Sequence, residues 1–99
     1  MADFKKTAFE EFTIDCDFSS NMSDSDTIQV DDSSVTVIDR DLVDQSDTMV
    51  ATGSVAADGK KLTAKIVGGT NGNLYDVKFK ITTGNGEKYE ADRVLDVRD

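Results

Sequence analysis

Apolar residues in this chain recur at every second position. Phe12, Ile14, Cys16 and Phe18 alternate with Thr13, Asp15 and Asp17, the period of a strand with one buried face. Leu62, Ala64 and Ile66 alternate with Thr63 and Lys65 in the same way. Tyr75, Val77, Phe79 and Ile81, set between Asp76, Lys78, Lys80 and Thr82, form the clearest amphipathic strand. Ile28 and Val30 open a shorter segment, and Val35 and Val37 flank Thr36. Tyr89, Ala91, Leu95 and Val97 share one parity, but Arg93 falls on it and Val94 on the other. A β-bulge near 92–94 is expected to reset that phase. The stretch 48–57 is β-capable but small and without clear phase. At the start, Phe4, Ala8, Phe9 and Phe12 fit one or two helical turns over 3–12. Ten residues rarely hold a helix alone, so an extended or frayed start fits as well, with residues 1–8 a flexible segment.

The punctuation between these runs is that of hairpins. Asp58-Gly59 and Asn85-Gly86 each suit a two-residue type I′ turn, with Gly59 and Gly86 supplying the positive φ. The run Gly68-Gly69-Thr70-Asn71-Gly72-Asn73 reads as a loop between sheets. Ser19–Asp26 and Asp39–Asp47, rich in Ser and Asp, read as crossing loops. Short strands every 8–12 residues with glycine turns between them predict an all-β fold, an antiparallel β-sandwich of about seven strands in one domain over 1–99. Tyr75 follows a turn-rich loop and opens the most amphipathic strand, the place of a tyrosine corner; an ordinary core tyrosine is the alternative. The chain has no proline, so strand edges must be protected by Lys, Asp and bulges.

Composition removes most chemistry. The chain has 99 residues, 37% hydrophobic and 31% charged, enough for one modest core. It has no histidine, the commonest general base and zinc ligand. Its single cysteine excludes a disulfide framework and a thiolate cluster. Cys16 shares parity with Phe12, Ile14 and Phe18 and reads as a small core hydrophobe. No apolar run approaches the roughly 20 residues that span a bilayer. The opening residues Met-Ala-Asp-Phe-Lys-Lys lack the apolar core of a signal peptide, so a cytosolic start is expected. The net charge of −9 is unevenly spread, −11 over 1–58 and +2 over 59–99. Such segregation either separates the signs on the surface or folds the halves against each other. The overall field repels nucleic acid, which needs a basic footprint.

The remaining candidates are weak as catalytic or metal sites. Asp39, Asp41, Asp44 and Asp47 could offer oxygens to calcium, yet their spacing does not fit an EF-hand loop. Asx-turns in solvated loops explain them as well. Glu10, Glu11, Glu87 and Glu90 read as surface charges rather than a glycosidase pair. Gly68-Gly69 does not cradle phosphate, because no Gly-Lys-Ser/Thr helix start follows. No enzyme and no cofactor is expected.

The run from Gly68 to Gly86 resembles a pattern common in small phage and prophage structural proteins: a Gly-Gly loop, a Tyr-x-Val strand at Tyr75–Val77, then Thr82-Thr83 and a glycine turn. Asp26-Thr27-Ile28 and Val35-Thr36-Val37 resemble the paired short strands of those proteins, and Lys6 to Phe18 their first strand. The resemblance covers about residues 6–97. Those relatives often carry Trp before the Gly-Gly loop, where Ile66-Val67 stands here. The resemblance implies an immunoglobulin-like sandwich and a non-catalytic virion component of head, neck or tail. It further implies docking to other virion proteins, without nucleic acid or membrane, and a homo-oligomer is in keeping with virion symmetry. Such a protein would occupy the host bacterium's cytoplasm during assembly and then the virion. Ser19–Asp26 and Asp39–Asp47 are the expected contact loops. The competing function is a carbohydrate- or cell-surface-binding module, which would need an exposed aromatic platform or a calcium-held loop.

Overall fold

A computed structural model of the chain describes residues 2–99. The strands are β1 (Phe4–Lys6), β2 (Phe12–Asp17), β3 (Ser34–Asp39), β4 (Ala56–Asp58), β5 (Lys61–Ile66), β6 (Asn73–Thr82) and β7 (Lys88–Val97). They form an all-β sandwich, a four-stranded sheet ordered β1-β7-β6-β3 over a three-stranded sheet ordered β2-β5-β4. Every strand pairing is antiparallel except that of β1 with β7, which is parallel.

The period-two residues meet in one core. Ile14 and Cys16 of β2 and Leu62, Ala64 and Ile66 of β5 face Val35 and Val37 of β3, the Tyr75–Ile81 set of β6, and Leu95 and Val97 of β7. Burying each of the larger of these side chains favours folding by roughly 1.5–3 kcal/mol. Each of β1, β2 and β3 hydrogen-bonds a strand from the second half of the chain: β7, β5 and β6 respectively. The acid-rich and base-rich halves are therefore folded against each other, with Asp17 opposite Lys61 and Arg40 3.4 Å from Asp76.

Several local expectations are corrected. Of the two starts the sequence allows over 3–12, the extended one holds at β1 and the helical turn does not form, because Phe4 packs on Phe79 with ring centroids 6.5 Å apart and the backbone satisfies its polar groups on β7. No bulge interrupts β7: its register with β6 is continuous from Asn73–Val97 to Thr82–Lys88. Arg93 is accommodated half-buried on the inner parity, where β7 lies beyond β1. The Gly59 hairpin is displaced by one residue, since Asp58 pairs with Lys61 and the loop is Gly59-Lys60. Only Gly59 has positive φ there, at 61°, as in a type II′ turn rather than type I′.

The Gly86 hairpin has a three-residue loop. Thr83 N–H donates to Glu87 O at 2.8 Å and Gly86 N–H to Thr83 O at 2.9 Å. Gly86 takes φ 85°, the pattern of a tight turn followed by a glycine bulge. The Ile28–Val30 segment is not a strand: Ile28 makes one bridge to Thr83, and Val30–Asp32 form a 3-10 turn. The phase-less stretch divides into a single helical turn, α1 (Ser46–Met49), which buries Met49, and the exposed β4. No helix among the described residues is long and apolar enough to cross a membrane.

Candidate functional site

Register brings four chain segments to one pole of the sandwich. Asp39 pairs with Tyr75 and Tyr75 with Leu95, while Lys6 lies beside Val97. Residues 7–11, 40–45, 67–72 and the C-terminal Arg98-Asp99 thus cluster together. Ala8 N–H donates to Asp99 Oδ1 at 2.9 Å, and Asp99 N–H to Asn71 Oδ1 at 3.0 Å. Loops 18–33, 59–60 and 83–87 occupy the opposite pole.

The first loop is held by reciprocal bonds. Thr7 N–H donates to Glu10 Oε1 at 2.7 Å, and Glu10 N–H returns to Thr7 Oγ1 at 3.2 Å. Phe9, between them, is 92% exposed. Beneath lies a buried cation that sequence reasoning missed: Lys6 is 2% exposed. Its ammonium donates to the carbonyls of Thr7 and Gly68. Burial pushes the lysine pKa down, although Glu10, Glu11, Tyr75 and Asp99 act the other way. Its position two residues after Phe4, on the parity that β1 buries, was the available signal.

The second loop is built by Asp39. Its Oδ1 accepts from the amides of Asp41 at 2.9 Å and Val43 at 3.0 Å, and Oδ2 accepts from Gln45 Nε2 at 2.9 Å. The Val43 amide and then the Gln45 side chain hold the Asp39 carboxyl below its ordinary pKa. The turn so made projects Leu42, 83% exposed, and Val43. Leu42 adopts φ 65°, a left-handed conformation that costs a side-chain-bearing residue about 1–2 kcal/mol.

The third loop carries Gly68 and Gly69. A Cβ on Gly69, whose φ is 93°, would lie 2.9 Å from Val97 Cγ2 and 3.1 Å from Met49 Cε. Tyr75 is buried, and its hydroxyl accepts the Thr70 N–H at 2.9 Å.

The other candidates are placed plainly. Asp44 Oδ1 accepts from Ser46 N–H at 2.8 Å, while Asp41 and Asp47 are exposed. Asp39 and Asp44 are thus occupied by their own loop, and no group of three metal-ligating side chains converges among the described residues. Glu10 and Glu87 lie at opposite poles, and Glu90 pairs with Lys78 at 3.8 Å and Lys80 at 3.6 Å. Cys16 is 3% exposed; desolvation pushes its thiol pKa up, against the nearby Arg93. Phe4 and Tyr89 are half-buried against the core, so Phe9 stands apart and makes no aromatic platform with them.

The Ser19–Asp26 loop holds two inward residues, Met22 and Asp26, 6% and 5% exposed. Asp26 Oδ1 accepts from Thr27 N–H at 2.9 Å and Asn85 N–H at 3.1 Å. Burial raises its pKa, but the neighbouring Thr83 hydroxyl and the amides of Thr27, Asn85 and Gly84 outweigh that and lower it.

A family model described as podophage GP4 fiber-tail adaptor protein gp77 matches residues 6–96. No curated protein matches the chain. The matched span runs from the buried Lys6 to Asp96 of β7 and takes in both sheets with the Phe9, Leu42 and Gly68 loops, so the chain belongs to the podophage fiber-tail adaptor family, a group of phage tail structural proteins.

Proposed function

We propose that this chain acts without catalysis, joining tail to fibre by docking the Phe9–Leu42 pole onto another virion protein. The observation that carries the reading is Leu42, which combines a left-handed backbone with a side chain left in water. Folding favours neither feature, and strain retained on a surface loop points to use by a partner. Phe9 and Val43, also exposed, lie on loops of the same pole, and Arg40, Asp41 and Arg98 supply a charged rim that would set register.

The reading includes a single immunoglobulin-like domain over 1–99. Its support is the sheet order with a parallel first strand and the Tyr75–Thr70 bond in the position of a tyrosine corner. Assembly in the host cytoplasm, a symmetric homo-oligomer, and independence of nucleic acid and membrane belong to it as well. Among virion proteins, this reading takes those of tail and fibre as partners, in keeping with the family's description.

The test is binding of the purified chain to purified tail and fibre proteins of the same virion at low salt. Leu42→Gly relieves the strain and removes the side chain, so it should weaken the complex at least tenfold while leaving Tm unchanged or raised. Full affinity in a Leu42→Gly, Phe9→Ser double variant would overturn this choice of surface.

A further inference from the structure

The two long sides of the sandwich are unlike. On the β3 side, Val37 N–H donates to Ser46 Oγ at 2.9 Å, Gln45 N–H to Val37 O at 2.7 Å, and Asp39 N–H to Val43 O at 3.0 Å. The crossover into α1 therefore covers that edge from Val37 to Asp39. On the other side β1 covers β7 only from Val94 onward, where Asp3 N–H meets Val94 O at 2.9 Å.

β2 is bare along its whole length. Phe18 N–H donates to Lys60 O at 2.9 Å, so Phe12, Ile14 and Cys16 direct their backbone groups to β5. Thr13, Asp15 and Asp17 then direct N–H and C=O out of the sheet. Among the described residues no hydrogen bond meets these groups. Asp15 and Asp17 make no ion pair among the described residues, although Asp17 Oδ1 accepts the Ser19 N–H at 2.8 Å, whereas Glu90 and Asp92 of β7 are bridged by Lys78 and Lys80. A second copy fits poorly, because symmetric antiparallel pairing of two β2 strands sets Asp15 against Asp15 and like charges directly opposite repel.

We infer that β2 is an acceptor edge for strand addition. An extended segment of a partner virion protein pairs with Thr13, Asp15 and Asp17. It carries Lys or Arg at alternate positions beside the two aspartates, and apolar residues at the positions facing the Ile14 and Cys16 side. Main-chain bonds supply affinity and the alternating side chains supply selection. The inference rests on the docking reading above and names a second contact for the same partners.

The experiment uses the full chain with purified tail and fibre proteins of the same virion, reading affinity and amide hydrogen exchange. In the free chain the Thr13, Asp15 and Asp17 amides exchange fast while Ile14 and Cys16 are protected. In the complex all five become protected. Asp15→Pro removes an outward N–H that β5 does not use and should weaken binding at least tenfold. Asp15→Lys with Asp17→Lys, which keeps every backbone group, should do the same where the proline variant does not fold. A wild-type complex that leaves Thr13, Asp15 and Asp17 unprotected, or tolerates the double lysine variant, overturns strand addition and leaves docking by the pole intact. A wild-type chain that binds neither protein overturns both.

Discussion

The Lys6 ammonium donates to the Gly68 carbonyl, joining the first strand of one sheet to the loop that leaves the last long strand of the other. The bond draws β1, β7 and the 67–72 loop together from opposite ends of the chain. Lys6→Ala removes the buried stem and leaves the Gly68 carbonyl without its donor. The expected loss is about 2 kcal/mol, read as a lower urea midpoint with an unchanged slope. An equal midpoint would mean that water replaces the ammonium at no cost.

Tyr75→Phe keeps the ring in the core and deletes only the hydroxyl that holds Thr70 N–H. A loss of about 1 kcal/mol is expected. Amide exchange at Thr70 should accelerate with little change at Val77 and Phe79.

Gly69→Ala meets both a left-handed φ and the Val97 and Met49 side chains. Added strain and overpacking should cost about 3 kcal/mol, visible in the thermal midpoint. Gly72→Ala is the comparison, because a Cβ there meets nothing within 4 Å although φ is 92°. It should cost clearly less.

Acid should unfold the chain through named carboxylates. Backbone and side-chain donors hold Asp17, Asp39 and Asp44 below the ordinary value of 3.8, and Asp26 stays below it against its burial. A carboxyl depressed in the folded state stabilises fully above its unfolded pKa, and that contribution disappears as pH falls through the folded one. Stability should therefore hold from neutral pH down to about 4 and decline below it. Asp39→Asn should flatten that decline, as measured by urea unfolding between pH 2 and 6.

The sandwich was legible because one rule, apolar side chains at every second position, governs β2, β5, β6 and much of β7. Parity needs no knowledge of a partner strand: once one face must leave water, the chain itself says which residues it holds. The same pattern carried the burial of Cys16 and Tyr75, and glycine punctuation carried the crossing between sheets at Gly68-Gly69. Contacts that depend on the other strand lay beyond it. β1 became a strand because β7 offered it a parallel edge, and Arg93 stayed in phase because β6 holds that register. Lys6 and Asp26 owe their places to carbonyls and amides contributed from elsewhere in the chain, and Leu42 to the turn that the Asp39 carboxylate builds. The sequence by itself thus determined which face each strand buries, since burial is a property of a residue and its neighbours along the chain. Only the tertiary structure decided which edges stay open and which polar groups are enclosed, because both depend on what packs alongside.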